Sequence, residues 1–227
     1  YNEKQIEDTK NLVKKYKLEI YVHGPYIFNL SNPSTRNISE MKKYLIVSND
    51  IKAKGVIFHV GKSVKMPINE ALKNMSEIIE ECLQFSTENC PFLLETPAGV
   101  GTETLTIIED FISFVTQMNN YSMKKYKQKR FGICLDTAHI FSLDYLPVDY
   151  LNRILYDSEG EKSEISSLLK VIHFNDSKCC KGARKDRHEI IGEGHIPVSQ
   201  FFQIINIVNE FKIDLIKEEP RSEFEER

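Results

Sequence analysis

The sequence predicts an α/β fold, a TIM-type (β/α)8 barrel, on two observations. Short runs rich in β-branched and aromatic residues alternate with longer segments of helical periodicity, which is typical of parallel βα units. Each of six predicted strands also ends on a side chain that can bind a metal ion, at spacings of 36, 36, 41, 37 and 45 residues. Such a spacing is the length of one βα unit, and the carboxyl ends of barrel strands converge on the face that carries active sites. The six residues are His23, His59, Glu95, Asp136, His173 and Glu218.

The predicted strands are short apolar runs flanked by polar segments, the pattern of strands that are buried on both faces. They comprise LEIYVH at residues 18–23, GVIFH at 55–59, PFLLE at 91–95, FGICLD at 131–136, LLKVIH at 168–173 and IDLIKE at 213–218. The predicted helices carry apolar residues at helical spacing, and Pro67 suits the first turn of one of them. They comprise residues 3–16, 38–53, 67–85, 102–118, 147–156 and 198–211.

The chain supplies about six of the eight βα units that a closed barrel needs. Because a predicted helix precedes the first predicted strand, we expect the first two units to lie upstream of residue 1. The segment after Glu218 is also too short for a full closing helix. We therefore expect residues 1–227 to be a single barrel domain, truncated at the N-terminus and shortened at the C-terminus.

The composition is that of a globular protein without a membrane segment. Hydrophobic residues make up 41% and charged residues 28% of the 227 residues, and no run of 18 apolar residues occurs. Residues 1–17 lack the apolar core of a signal peptide. Five cysteines without a CxxC pair favour a reducing compartment, and leave the adjacent pair at 179 and 180 either as free thiols or as an oxidisable pair. We expect a soluble intracellular monomer, nuclear or cytoplasmic, from a cellular or a viral source.

Two short motifs add further metal-binding side chains. His139 follows Asp136 by three residues, and Asp186-x-His188 lies in a loop rich in Gly and Lys. Histidine together with carboxylate suits zinc or manganese, and shared among three ions these side chains leave positions for water and phosphate, as phosphoester hydrolysis requires. The nine candidate ligands are His23, His59, Glu95, Asp136, His139, His173, Asp186, His188 and Glu218.

Each part of this pattern also has a plainer explanation. A histidine at a strand end is more often structural, and Asp136 with His139 could be a hydrogen-bonded pair. Asp186 with His188 could be a solvated turn. Only the joint occurrence at every strand end favours metal. The formal net charge of −3 does not exclude nucleic acid, because three divalent ions would bring the loaded protein to about +3.

Two other functions fit part of the pattern. Sugar isomerases on the same barrel also gather Glu, Asp and His at strand ends, but they need one or two metal ions. The set of His139, Asp186 and His188 therefore distinguishes a hydrolase with three ions from an isomerase. A DNA-binding relative that has lost catalysis is the third alternative.

The motifs, taken in order along nearly the whole chain, resemble those of the endonuclease IV family. They are HGPYIFNL at residues 23–30, ETPAG at 95–99, CLDTAH at 134–139, HFNDSK at 173–178 and DRHEIIG at 186–192. The resemblance implies an abasic-site endonuclease of base excision repair, which hydrolyses the phosphodiester 5′ to an abasic site in double-stranded DNA and leaves a 3′-hydroxyl. It also implies three Zn²⁺ per chain, with Mn²⁺ as the alternative, and a hydroxide that bridges two of the metals as the nucleophile.

The resemblance further implies how the ligands are shared, with Glu95 as the catalytic bridging residue. The first metal is held by His23, His59 and Glu95. The second metal is held by Glu95, Asp136, His173 and Glu218. The third metal, which would orient the scissile phosphate, is held by His139, Asp186 and His188.

Two motifs depart from the family pattern. Where the family has His-Pro-Gly, this chain has His59-Val60-Gly61, which keeps the ligand and changes the turn. Where the family has Glu-Thr-Pro, it has Glu218-Glu219-Pro220, which leaves a choice between two glutamates. Alignment on the proline favours Glu218.

Two groups of residues are predicted to contact DNA. Tyr26 matches the family tyrosine that inserts at the lesion, although a tyrosine packed on the barrel rim would give the same sequence. A basic loop next to the third metal site suits phosphates and comprises Lys178, Lys181, Arg184, Lys185 and Arg187. A second basic cluster, at residues 124–130, precedes a predicted strand and is interpreted as a solvated turn.

Overall fold

The computed structural model of the protein describes residues 2–218, in which helices and strands alternate along most of the chain. The helices are α1 Glu3–Tyr16, α2 Thr35–Asp50, α3 Ile68–Cys82, α4 Ile108–Tyr126, α5 Thr137–Ser142, α6 Pro147–Leu155 and α7 Val198–Phe211. The strands are β1 Val22–His23, β2 Val56–Phe58, β3 Phe92–Glu95, β4 Phe131–Asp136, β5 Leu169–His173, β6 Asp176–Ser177, β7 His188–Glu189 and β8 Asp214–Ile216. One sheet has the strand order β1-β2-β3-β4-β5-β8, and β6 and β7 form a two-stranded hairpin. Every predicted strand of the series is present, although several are shorter than predicted.

The chain divides into two compact units, which are described separately. Unit 1 comprises Tyr1–Glu95 with Ser113–Ile133. Unit 2 comprises Thr96–Ile112 with Cys134–Arg227. The division falls within α4 and within β4, so each of these elements contributes to both units.

Parallel pairing of β1, β2 and β3 sets the positions of the polar strand ends in unit 1. His23 is aligned with Ile57 of β2, and Phe58 is aligned with Leu94 of β3. Because the register is parallel, His59 follows β2 at the level where Glu95 ends β3. The three predicted ligands of unit 1 thus lie at the carboxyl ends of neighbouring strands.

A row of aromatic rings forms the core of unit 1 beneath these strand ends. The rings of Phe58 and Phe92 are stacked with their centroids 4.7 Å apart, and Phe131 stacks on Phe92 at 6.1 Å. All three side chains are buried. On the helical side, Met41 of α2 and Met75 of α3 are buried as well. These contacts fix the spacing of the strands, and with it the spacing of the side chains at their ends.

In unit 2, β5 and β8 pair in parallel, with His173 aligned with Ile216. The hairpin follows β5 closely, and its register pairs Ser177 of β6 with His188 of β7. This pairing returns the chain from the β6–β7 loop to the end of β5, so that residues distant in sequence meet there. The predicted loop ligands belong to this hairpin.

The helix predicted at residues 102–118 is displaced in the structure, where α4 begins at Ile108 and continues to Tyr126. The cause is a loop held by one side chain: the Glu103 carboxylate accepts hydrogen bonds from the amides of Ala98, Gly99 and Val100 at 3.1, 2.9 and 3.0 Å. Leu105, which lies inside the predicted range, has a φ of +57° and therefore cannot belong to a right-handed helix, so α4 begins after it. The extension of α4 also places the first lysines of the second basic cluster in the last turn of a helix rather than in a surface loop.

Two elements were absent from the sequence-based prediction. Helix α5 is six residues long and wholly buried, so it lacks the alternation of polar and apolar faces that marks a surface helix. Its one sequence signal is Asp136, a residue type that favours the position before a helix. The β6–β7 hairpin has two residues in each strand, which is too short for a recognisable period.

The membrane prediction can be compared with the helices directly. Within residues 2–218, no helix has the length and apolar character needed to cross a bilayer.

We expect Phe92→Ala to lower the free energy of unfolding by roughly 3–5 kcal/mol, because it removes the middle ring of a buried stack. Denaturant titration of the metal-loaded protein measures this change. The matched control is Phe202→Ala, since Phe202 is 67% exposed on α7 and its loss should change stability by less than about 0.5 kcal/mol. Equal effects of the two substitutions would contradict the assignment of the core.

Candidate metal centre

The predicted ligands of unit 1 converge on a single carboxylate oxygen. Oε2 of Glu95 lies 3.0 Å from Nε2 of His23 and 3.3 Å from Nδ1 of His59. Glu95 is only 1% exposed, and the two imidazole rings lie 5.0 Å apart at their centroids. All three predicted residues are therefore brought together, with a buried carboxyl group at the centre.

The hydrogen bonding of His23 shows which ring nitrogen faces the carboxylate. Nδ1 lies 2.8 Å from the carbonyl oxygen of Gly24, and a carbonyl can only accept, so Nδ1 carries the proton and donates. In the neutral ring Nε2 then directs a lone pair at Oε2 of Glu95. Two acceptors at 3.0 Å require a cation or a proton between them, and a metal ion meets this requirement.

In unit 2, Asp136 uses its two carboxylate oxygens for different purposes. Oδ1 caps α5 by accepting from the amides of Ala138 and His139 at 2.7 and 2.9 Å. Oδ2 lies 3.7 Å from Nδ1 of His173 and 3.5 Å from Nε2 of His188. The cap fixes the orientation of the carboxylate, and the second oxygen remains directed at the histidines.

The three predicted ligands from α5 and the hairpin also meet. Oδ1 of Asp186 lies 3.3 Å from Nε2 of both His139 and His188. The ligand atoms of Asp136, His139 and His188 all lie within 4.8 Å of one another, a group that could hold a metal ion. His139 and His188 are 49 positions apart in the sequence, and the hairpin closes that gap.

Both histidines of this group repeat the arrangement of His23. Nδ1 of His139 faces the carbonyl of Thr96 at 2.8 Å, and Nδ1 of His188 faces the carbonyl of Glu218 at 3.3 Å. In each ring one nitrogen therefore faces a backbone carbonyl while the other faces a carboxylate. A backbone acceptor that fixes the tautomer of a ring is the usual support of a metal-binding histidine.

The remaining pair in unit 2 joins β5 to the end of β8. Nδ1 of His173 lies 2.9 Å from Oε2 of Glu218. Glu218 is thus brought against His173, whereas Glu219, the other possible ligand, lies outside the described residues.

The pKa shifts of the candidate ligands in unit 2 favour the binding of cations. Burial raises the pKa of Asp186, but hydrogen bonds from His139 and His188 outweigh it and hold the pKa well below its ordinary value. Burial also raises the pKa of Asp136, yet the charge of His139 and the hydrogen bond of His173 bring it below its ordinary value. Burial lowers the pKa of His188, but its hydrogen bond to Asp186 and the nearby carboxylate charges raise it overall. The carboxylates therefore stay ionised at neutral pH and attract positive charge.

Tyr26, the predicted lesion contact, lies beside the histidines of unit 1. Tyr26 is 51% exposed, and its ring meets the ring of His59 edge-on, with the centroids 5.1 Å apart. Lys62 donates a hydrogen bond of 2.7 Å to its hydroxyl oxygen. The Lys62 ammonium also lies over the ring, 3.9 Å from its centroid, so Tyr26 is packed against His59 and Lys62 while about half of the residue stays exposed.

The predicted basic loop connects β6 to β7 and is anchored on α5. The amides of Gly182 and Arg184 donate to the carbonyls of Phe141 and Ser142 at 3.0 and 3.1 Å. All five basic side chains of the loop are exposed, and Lys181 pairs with Asp144 at 3.2 Å. The loop is held by its backbone, which leaves its charges on the surface.

Two buried polar residues of the HFNDSK motif were not predicted as part of the site. Asn175 donates to the carboxylates of Asp136 and Glu218 at 2.7 and 3.1 Å. Asp176 differs from the ligand carboxylates because backbone amides occupy its oxygens, among them those of Gly192 and Ile196 at 2.9 and 3.0 Å. The only sequence signal for either residue was its place beside His173.

Comparison with known proteins shows which proteins this chain is similar to. A family profile described as xylose isomerase-like TIM barrel matches residues 1–216. Probable endonuclease 4 of Mycoplasmopsis pulmonis (strain UAB CTIP) is 30% identical over 224 residues, 97% of this chain and 76% of that protein. The crystal structure of endonuclease IV from Thermus thermophilus matches with a TM-score of 0.75 at 18% identity, over 99% of this chain and 78% of that chain. A D-tagatose 3-epimerase-like protein matches with a TM-score of 0.72 at 17% identity, over 97% and 78% of the two chains.

At these identities the two crystal structures establish the fold alone, and together with the family profile they confirm the predicted TIM-type barrel. The chain spans between 64% and 66% of the length of several of the curated relatives that it matches.

We expect Asp176→Asn to lower the free energy of unfolding by about 2–4 kcal/mol, since the amide group turns a donor toward backbone donors and leaves buried N–H groups unpaired. Chemical denaturation of the metal-free protein measures the change, and Asp149→Asn on the exposed side of α6 is the control. If the substitution instead leaves stability unchanged and lowers the number of bound metal ions, Asp176 is a ligand and this account of it is wrong.

Proposed function

The chain belongs to the endonuclease IV family, within the xylose isomerase-like TIM barrels, and from this premise we propose that it is an abasic-site endonuclease of DNA base excision repair. The proposed reaction is hydrolysis of the phosphodiester 5′ to an abasic site in double-stranded DNA, with three divalent ions, zinc or manganese. The observation that carries the proposal is the shared arrangement of His23, His139 and His188, each with a backbone carbonyl on one ring nitrogen and a carboxylate at the other. When bound, such ions activate water and neutralise charge on the attacked phosphate.

We propose the ligand sets that the resemblance implies. His23 and His59 with Glu95 would form the first set, and the role of Glu95 as a bridge to the second set rests on the resemblance. Asp136, His173 and Glu218 would complete the second set. His139, Asp186 and His188 would form the third set. The distances within each unit support the first set and the members of the other two that lie in unit 2.

The chain's own residues have separable tasks in this proposal. The carboxylates supply charge, and the backbone carbonyls of Gly24, Thr96 and Glu218 hold the imidazole rings in one tautomer. The exposed basic side chains of the β6–β7 loop would bind backbone phosphates, which positions DNA without reading its sequence. Tyr26, which is half exposed, would contact the distorted DNA beside the missing base.

A sugar isomerase is the competing function, because the D-tagatose 3-epimerase-like structure has the same fold. One or two ions serve such a reaction. The group of His139, Asp186 and His188 would then have no task, although its carboxylate stays ionised and contacts both rings at 3.3 Å. This group favours the nuclease.

Metal analysis tests the number of ions. We expect about three zinc or manganese ions per chain in the metal-loaded protein and two in Asp186→Ala, because that substitution removes the carboxylate shared by His139 and His188. Elemental analysis after gel filtration gives both numbers, with Asp149→Ala as the control. One ion per wild-type chain would favour the isomerase.

Substitution of Glu95 tests its role in the reaction. We expect Glu95→Gln to slow incision of an abasic duplex by about 1000-fold or more, because several kcal/mol of charge stabilisation at the metals is lost while shape is kept. Binding of the same duplex should stay within about threefold of the wild-type value. Gel-based incision and fluorescence anisotropy measure the two effects, and Glu109→Gln, an exposed residue, is the control. Near-normal turnover of the variant would rule out the assigned role.

Substitutions of Tyr26 separate lesion recognition from metal binding. Because base–aromatic stacking contributes about 1–3 kcal/mol, Tyr26→Ala should weaken binding to an abasic duplex by roughly 5- to 150-fold. Tyr26→Phe keeps the ring and its contact with the Lys62 ammonium, 3.9 Å from the centroid, and loses only the hydrogen bond to Lys62, so it should bind almost as the wild type does. Loss of metal from Tyr26→Ala would instead identify the tyrosine as a packing residue.

A further inference from the structure

We propose that Asn175 is a positioning residue for metal, which holds the carboxylates of Asp136 and Glu218 in the geometry that an ion needs. The inference rests on the proposed function, since it concerns the second ligand set. Asn175 contacts no substrate in this account and acts through the two carboxylates, although its Nδ2 also lies 3.5 Å from Nε2 of His188. Its place is the short segment between β5 and β6, two residues after the predicted ligand His173.

Three hydrogen bonds join the Asn175 side chain to the two carboxylate residues. Its Nδ2 donates to Oδ2 of Asp136 at 2.7 Å and to Oε2 of Glu218 at 3.1 Å. Its Oδ1 accepts from the backbone amide of Glu218 at 2.8 Å. Because an amide N–H can only donate to an acceptor, the last contact fixes which end of the side chain is oxygen. Both N–H groups are thereby directed at the carboxylates.

The backbone of Asn175 is itself held by a buried hydroxyl. Thr137 Oγ1 accepts from the Asn175 amide at 2.8 Å and donates to the Asn175 carbonyl at 2.6 Å. Thr137 is the first residue of α5 and follows Asp136 directly. The start of α5 therefore fixes the position of Asp136 and also that of Asn175, whose side-chain amide donates to Asp136.

The charges of the two carboxylates explain why a neutral amide with two N–H donors, that of Asn175, lies between them. The carboxylates of Asp136, which is buried, and Glu218, which is partly exposed, share one histidine, His173, and two ionised carboxylates at this separation would repel each other. An amide that donates to both offsets part of this repulsion without adding a positive charge that would compete with a metal ion. The same oxygens, Oδ2 and Oε2, are those nearest to Nδ1 of His173. Asn175 thus keeps the ligand atoms close together before metal binds.

Two substitutions separate hydrogen bonding from packing. Asn175→Leu keeps the volume and removes both donors, whereas Asn175→Ala removes donors and volume. We expect both variants to bind zinc at the affected site about 10- to 100-fold more weakly, since loss of a residue that orients ligands has effects of this size. Competition with a chromophoric chelator, starting from metal-free protein, measures zinc affinity. The visible spectrum of Co²⁺ bound in place of zinc should change in both variants, and Asn152→Ala, at an exposed position of α6, should match the wild type.

Wild-type zinc affinity in Asn175→Leu would overturn the inference, because the side chain would then only fill space. If the variants at position 175 do not fold, Thr137→Val, which removes the hydroxyl that holds the Asn175 backbone, should still weaken zinc binding several-fold, and an unchanged affinity would overturn the inference. A wild-type protein that binds no zinc or manganese would refute the proposed function itself. Normal metal binding in every variant, with normal incision by the wild type, would refute only the role of Asn175.

Discussion

The carboxylate of Asp136 is used twice, and its contacts join α5, the end of β5 and the β6–β7 hairpin in unit 2. One oxygen ends β4 and starts α5 by accepting two amide hydrogen bonds, and the other faces His173, His188 and Asn175. Because the helix cap determines the rotamer, the second oxygen cannot turn away from the histidines. Helix α5 in turn carries His139 and anchors the loop that carries Asp186. A single strand-to-helix junction therefore orients ligands from three separate segments.

The sequence predicted the candidate ligands best where they lie at the ends of strands that pair in parallel. Polar residues at the ends of apolar strands, such as His23 and Glu95, are conspicuous in sequence, and parallel pairing alone brings them together. The predicted start of α4 was wrong because the Glu103 carboxylate closes a loop onto Gly99 and Leu105 adopts a left-handed backbone conformation, and periodicity carries no trace of either. Asn175 could not be predicted either, since its task depends on the distance between two carboxylates that are 82 residues apart in sequence.

The charges of the site make metal binding and protonation compete. In the metal-free protein, Asp136 and Asp186 are stabilised as anions by nearby imidazoles, and His188 holds its proton more tightly than usual because its pKa is raised. A metal ion can occupy the same space only when those protons leave, so binding should release protons and strengthen as pH rises through the histidine range. The backbone carbonyls keep the rings in place in either state. The Asp136 and Asp186 carboxylates thus have positively charged neighbours both with and without a bound metal ion.

The anchoring of the β6–β7 loop has a consequence for its susceptibility to proteases. Lys181, Arg184 and Lys185 are exposed and would be cleavable by trypsin, yet the backbone between them is tied to the carbonyls of Phe141 and Ser142 at the end of α5. A protease must bind an extended segment, so cleavage requires these hydrogen bonds to break first. The rate of tryptic nicking in this loop is then a measure of how often α5 releases it. Since the same loop brings Asp186 to His139, each such release also separates a carboxylate from its histidine.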